Sequence, residues 1–425
     1  MSVYDTISVI AAVAVFISLF NQRFGKFQTT IAITGWSVAI SILVLVLSKF
    51  GIIPLHEQQE VIHMLQHIQF DDFLLKGVLG FLLFGGALNI ELTHLKDQKF
   101  EIPFLALVAT LFSTFFIGAL LFFIFQKIGI HIDFIYCLLF GALISPTDPI
   151  AVLAIVKKMR APQRVSTQIE GESLFNDGVG LVVFVTLFEV AFGKSTPTVW
   201  STVELFLHEA VGGILFGLVL GVLFHHIIKR TPDSMMRLIL TMLIPTAGYV
   251  LGEHLEVSAP LAMVVSGIII GNITRGGMDE QESHQMSHLW ELADEILNAI
   301  LFLLIGLIML TFSFHYIDII AVLIAVPLVL CSRYTSVKLS YVLFKFYRRY
   351  NPESVKILTW GGLRGGLALA MAMAIPTGAQ VVNGVDIKEI IVLMTYAVVV
   401  FSIIVQGSTI TPMIQKAKDW EKKGY

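Results

Sequence analysis

The sequence predicts an all-α polytopic membrane protein with about thirteen transmembrane helices, and three observations carry that prediction. Of the 425 residues 56% are hydrophobic and 14% charged, with 32 Phe, which is far more apolar surface than one soluble core of this length needs. Apolar segments of about 20 residues, each long enough to cross about 30 Å of hydrocarbon at 1.5 Å per residue, recur from end to end and select helices as the spanning elements. Basic residues crowd into alternate loops between those segments.

The predicted spans are 5–20, 29–49, 72–92, 102–125, 133–157, 166–192, 202–229, 236–254, 257–273, 292–313, 316–345, 354–376 and 387–414. The first has neither a basic leader in MSVYD nor a small-residue cleavage signature, so it reads as a retained helix and not as a signal peptide. Arg23, Lys26, Lys96, Lys99, Lys157, Lys158, Arg160, Arg164, Lys229, Arg230, Arg237, Arg275, Lys345, Arg348, Arg349 and Lys356 share one side with the C-terminal Lys416, Lys418, Lys422 and Lys423. The other side holds little beyond Lys127, Lys194 and Lys388. The positive-inside rule then predicts an outside N-terminus, a cytoplasmic C-terminus and an odd number of spans.

The remaining composition excludes several functions. Cys137 and Cys331 fall within spans, read as packing residues, and imply neither a disulfide framework nor a cysteine metal site. The net charge of −3 says little about partners, because a membrane protein's loops and not its total charge meet them. No GxxxxGK[ST] phosphate loop, soluble domain or low-complexity linker interrupts the spans, so residues 1–425 read as one integral membrane domain that uses no nucleotide, nucleic acid or cofactor. Function has to come from polar groups inside the spans.

A charged side chain at mid-membrane costs on the order of 2.5–3.5 kcal/mol even on lenient scales, so each is a functional hypothesis. In GESLFNDGVG, residues 171–180, Glu172, Ser173, Asn176, Asp177 and Gly180 project at about 0, 100, 40, 140 and 80° around a helix and share one face. Two carboxylates with an amide and a hydroxyl exceed what a polar seam between helices needs. In the fifth span, Ser145-Pro146-Thr147-Asp148-Pro149 puts two prolines in an apolar run, which predicts a broken helix with freed carbonyls. Asp148 is placed to cap the second half-helix, although Ser or Thr would cap without burying a charge.

Hard oxygen donors without sulfur or a histidine cluster suit alkali or alkaline-earth cations. His208, His225, His226 and His254 lie toward helix ends and do not compete. The twelfth span reads WGGLRGGLALAMAMAIP, with glycine pairs flanking Arg364, which permits a break or a close helix approach and requires a carboxylate partner. Glu172 is the expected partner, with Asn176 as a second acceptor. Glu295 and Arg333 form a possible second, structural ion pair, and Lys76 snorkels from its helix end.

Taken together, the TDP-type break, the GESLFNDG segment and the GGLRGG segment, in that order and with 29 residues separating Asp148 from Asp177, resemble the NhaP/NHE branch of the monovalent cation:proton antiporters. The resemblance covers nearly the whole chain. It implies that Asp177 and Asp148 carry the cation and the proton, that Thr147 and Ser173 add oxygen ligands to a Na+ site, and that Glu172, Asn176 and Arg364 form a supporting network, with Glu172 near the ion. It implies two inverted repeats whose broken fifth and twelfth spans cross. It also implies a homodimer, with scaffold helices in 1–95 and 236–313, translocating helices in 100–192 and 316–414, and a linking helix at 202–229.

The expected activity is therefore exchange of Na+ or Li+ for H+ in a bacterial-type inner membrane. In the family's electrogenic members an aspartate precedes the essential aspartate, whereas here that residue is Asn176, so the resemblance implies electroneutral exchange. A K+/H+ antiporter of the same architecture, an intramembrane hydrolase using Asp148 and Asp177 as acid and base, and a cation channel are the alternatives. The long cytoplasmic tail of the animal exchangers has no counterpart here, which argues against control by tail-binding partners.

Overall fold

Helices dominate because nearly every predicted span is a long apolar run that must close its own backbone hydrogen bonds. A computed structural model describes residues 3–25, 27–52, 59, 62–63, 65, 69–193, 198–346 and 350–422. Lys26, Lys194, Arg348, Arg349 and Lys423, used above for loop charge, lie outside the described residues. Among the described residues ten helices are long and apolar enough to cross a membrane. Three further predicted spans are built from shorter pieces.

In chain order the helices are α1 (Ser8–Gly25), α2 (Thr29–Lys49), α3 (Leu79–Leu88, continuing the turns that begin at Phe70) and α4 (Glu101–Lys127). The fifth span is α5 (Phe134–Ile144) and α6 (Ile150–Lys158), separated by the expected break at the two prolines. Then follow α7 (Gln163–Phe192), α8 (Val199–Arg230), α9 (Ser234–His254), α10 (Ala259–Gly277), α11 (Glu280–Thr311) and α12 (Tyr316–Phe344). The twelfth span is α13 (Ser354–Gly361) and α14 (Gly366–Met373), broken across Gly362 to Gly365. A two-residue hairpin, β1 (Val381–Val382) and β2 (Val385–Asp386), turns at Asn383 and Gly384 with φ of 52 and 85°, the left-handed pair that such a tight turn demands. It leads into α15 (Ile387–Thr409) and α16 (Thr411–Lys422).

Two boundaries differ from the expectation. α11 starts at Glu280 and not near residue 292, because Asp279 caps it, accepting from Glu282 N at 2.7 Å, and the polar segment EQESHQMSHLW continues the helix out of the apolar layer. The last span ends at Thr409, and α16 follows as a separate helix. Hydropathy sees only the lipid-soluble stretch of a helix, so it misses the first of these extensions.

The buried apolar side chains form two clusters. The larger joins α1 and α2 with residues of α4 to α7 and α11 to α16. The smaller joins α3 with α8, α9 and α10, and with Met286 and Trp290 of α11. Cys137 is buried on α5, but Cys331 is exposed on α12 and does not pack as expected, since hydropathy does not say which side of a helix faces its neighbours.

Candidate functional site

The two helix breaks meet. Asp148 N in the first break donates to Leu363 O in the second at 2.9 Å, and Arg364 donates through one guanidinium nitrogen to Ser145 O and Pro146 O, both at 2.6 Å. Pro149 removes the helical donor to Ser145 O, and Ile150 N, the helical donor to Pro146 O, turns instead to Asp148 Oδ1; the buried Arg364, 2% exposed, satisfies both carbonyls. A Cβ on Gly365 would fall on the Asp148 carboxylate, so the close approach of the two breaks requires glycine there. On the other side, a Cβ on Gly180 would fall on the Pro146 ring.

The polar face of α7 holds the first break in place. Asn176 Oδ1 accepts from Thr147 N at 3.2 Å and its Nδ2 donates to Thr147 Oγ1 at 2.9 Å, while Ser173 Oγ donates to Thr147 O. The side chain of Asp148 accepts from Ile150 N at 3.0 Å, so it caps α6 as expected. That capping leaves its second oxygen available.

Two expected pairings are corrected. Glu172 does not meet Arg364: its carboxylate is held in a bidentate pair by Arg333 of α12, one oxygen on each terminal guanidinium nitrogen, with the Nη2 contact at 2.9 Å. Arg333 also donates through Nε to Leu358 O at 3.2 Å, tying α7, α12 and α13 together. It is therefore not the partner of Glu295, which is exposed on α11. Asn176, likewise, serves Thr147 and not Arg364. The sequence offered two intramembrane arginines and several carboxylates, and nothing in it says which helices face each other. Lys76 pairs with Asp72 at 2.6 Å, both exposed.

Asp148 and Asp177 converge on one cavity of about 590 Å³. Ser173, Pro146 and Gly365 line it beside them. Thr147 is 3% exposed, with both of its oxygens already in hydrogen bonds, while Glu172, at 1%, lies behind the site in its pair with Arg333. Arg364 lies within electrostatic reach of Asp177. Another part of the wall comes from α11, whose Glu291, Asp294, Glu295 and Asn298 line the same cavity. Sequence reasoning missed Asp294 and Asn298, although their spacing of four residues on an otherwise apolar helix was a readable signal. Two partly exposed carboxylates and a hydroxyl in one open cavity, with a fixed guanidinium buried nearby, can bind a small cation or protons, with hard oxygen donors.

The family model described as "Sodium/hydrogen exchanger, transmembrane" matches residues 12–416. The Na(+)/H(+) antiporter NhaP of Pseudomonas aeruginosa is 39% identical over 418 residues, which cover 97% of this chain and 96% of that protein. The Na(+)/H(+) antiporter NhaH of Halobacillus aidingensis is 32% identical over 89% of this chain and 91% of its own. Among solved structures, the sodium proton antiporter MjNhaP1 of Methanocaldococcus jannaschii shares the fold, with a TM-score of 0.76 over 98% of each chain at 17% identity.

Proposed function

The chain belongs to the transmembrane sodium/hydrogen exchanger family, and from that premise we propose that it exchanges Na+ or Li+ for H+ across the cell membrane by competition at Asp148 and Asp177. The observation that carries the reading is the convergence of these two carboxylates on one cavity at the crossing of two broken helices. An ionised carboxylate away from water is stabilised by a cation or by a proton, and both seek the same oxygens. Binding one load therefore expels the other.

Coupling needs a second condition. The empty, charged site has to cross slowly, and moving an uncompensated carboxylate through a closed, low-dielectric barrier costs several kcal/mol. Loaded with Na+ or H+, the helices of 100–192 and 316–414 rock against a scaffold of 1–95 and 236–313, joined by α8, and expose the site to the other face. Loop charge supports an outside N-terminus and a cytoplasmic C-terminus, which puts the mouth of the cavity, near Lys157 and Glu170, on the cytoplasmic side. The protein works as a homodimer in this reading, as the family resemblance implies.

Stoichiometry follows from charge. Glu172 is matched by Arg333, Asn176 does not titrate, and of the two aspartates at the helix crossing Asp177 faces the cation Arg364. One negative charge remains to be exchanged, so one Na+ moves against one H+ and transport is electroneutral. Ser173 and the free oxygen of Asp148 complete the ion's ligands with Asp177, while Thr147, Asn176 and Arg364 hold the break that positions them.

The test is a fluorescence dequenching assay on the purified protein in liposomes, with Na+, Li+ and K+ added at several pH values. Na+ and Li+ should each dissipate an imposed pH gradient. A response to K+ alone would reassign the cation, and no response to any of the three would overturn the exchange reading.

A further inference from the structure

Four polar residues run up one face of α11: Glu291, Asp294, Glu295 and Asn298, at positions i, i+3, i+4 and i+7. On a helix they fall within an arc of about 100° and along about 10 Å of its axis. All four line the cavity that holds Asp148 and Asp177. The stripe runs from water to interior, since the Glu291 side chain is 63% exposed and Asn298 is 3% exposed. One turn deeper, Leu301 is the side chain that a Cβ on Gly366 of α14 would meet, so the stripe leads toward the crossing of the broken helices.

Asn298 is the unusual member. Both its amide oxygen and its amide nitrogen are buried and make no hydrogen bond of good geometry, although the Asp294 carboxylate one turn away lies close enough to interact with the amide. Buried amides are almost always paired, and leaving one unsatisfied costs about 1–3 kcal/mol. A packing role does not account for that, because Ala or Leu would pack without the cost. An amide oxygen and a carboxylate one helical turn apart are hard donors of the kind that alkali cations take, and two protein oxygens leave room for the ion's own water.

We propose that Asp294 and Asn298 form a second cation site on the α11 wall of the cavity, which holds a partly hydrated monovalent alkali cation before it passes to Asp148 and Asp177. The site rests on the exchange reading above and deepens it. It sits on a helix outside the two breaks, so it serves ions arriving from the face on which the cavity opens. Glu291 and Glu295 concentrate cations at its entrance.

The test compares Na+ saturation at the two membrane faces, using inside-out and right-side-out membrane vesicles that contain the full chain. Asn298→Leu and Asp294→Asn should each raise the half-saturating Na+ concentration at the cavity face by about threefold to tenfold, with the opposite face keeping the wild-type value. Asn298→Asp, which retains an oxygen, should stay at or below the wild-type value. A merely structural role for Asn298 would shift both faces together and would leave Asn298→Asp as impaired as Asn298→Leu; either result overturns the proposal, as does an unchanged half-saturation in both variants. Wild-type vesicles that show no Na+-driven proton movement would overturn the exchange reading itself, whereas active wild type with unaffected variants removes only the second site.

Discussion

At the scale of single residues, the site separates side chains that meet the cavity from those that hold them. Asp148 and Asp177 line the cavity, so Asp177→Asn and Asp148→Asn should each give a folded protein without cation exchange, because an amide neither releases a proton nor carries a full negative charge. Wild-type exchange by either purified variant in liposomes would contradict this. Glu172 lies in the other group. Glu172→Ala leaves the buried Arg333 without its bidentate partner, a loss of about 3–5 kcal/mol, so the melting temperature in detergent should fall along with transport. Replacing both partners, as Glu172→Leu with Arg333→Met, should recover much of that stability, since a well-packed apolar pair of similar volume removes the desolvation cost. A double variant no more stable than Glu172→Ala would show that the pair contributes more than its charges.

At the scale of elements, the two interrupted helices act as one unit. Each break frees backbone groups that the other uses: Asp148 N reaches Leu363 O, and Arg364 serves the carbonyls of Ser145 and Pro146. The distance between the breaks is set by Gly365, where any side chain would displace the Asp148 carboxylate. Gly365→Ala should therefore move Asp148 while leaving α13 and α14 intact. Overpacking of this kind costs about 1–3 kcal/mol, and the Na+ concentration for half-maximal dequenching should rise by about fivefold or more. An unchanged value would mean that the break relaxes without moving the carboxylate.

At the scale of the whole molecule, net charge decides how transport couples to the membrane potential. With Glu172 neutralised by Arg333 and one of the two aspartates at the helix crossing balanced by Arg364, a one-for-one exchange moves no net charge. In liposomes, an imposed membrane potential should drive no Na+ uptake through the protein beyond that of empty vesicles. Potential-driven, protein-dependent uptake would show that Asp148 and Asp177 titrate together and carry an additional proton.

The amino-acid sequence by itself determined the solvent, the order of the apolar helices, and the places where they break, because each of these depends on local properties: hydropathy over about 20 residues, and the missing amide proton of proline. It also determined that Glu172, Ser173, Asn176 and Asp177 share a face, since helical periodicity is local as well. Only the tertiary structure decided that Glu172 takes Arg333 and leaves Arg364 to the carbonyls of the fifth span, that Cys331 faces outward, and that α11 brings Asp294 and Asn298 to the cavity that Asp177 lines. Those pairings join residues as far as 161 and 219 positions apart. Which helix faces which is fixed by packing across the whole chain, and in a lipid-soluble bundle the apolar pattern carries little information about it, because side chains facing lipid and side chains facing protein are equally apolar.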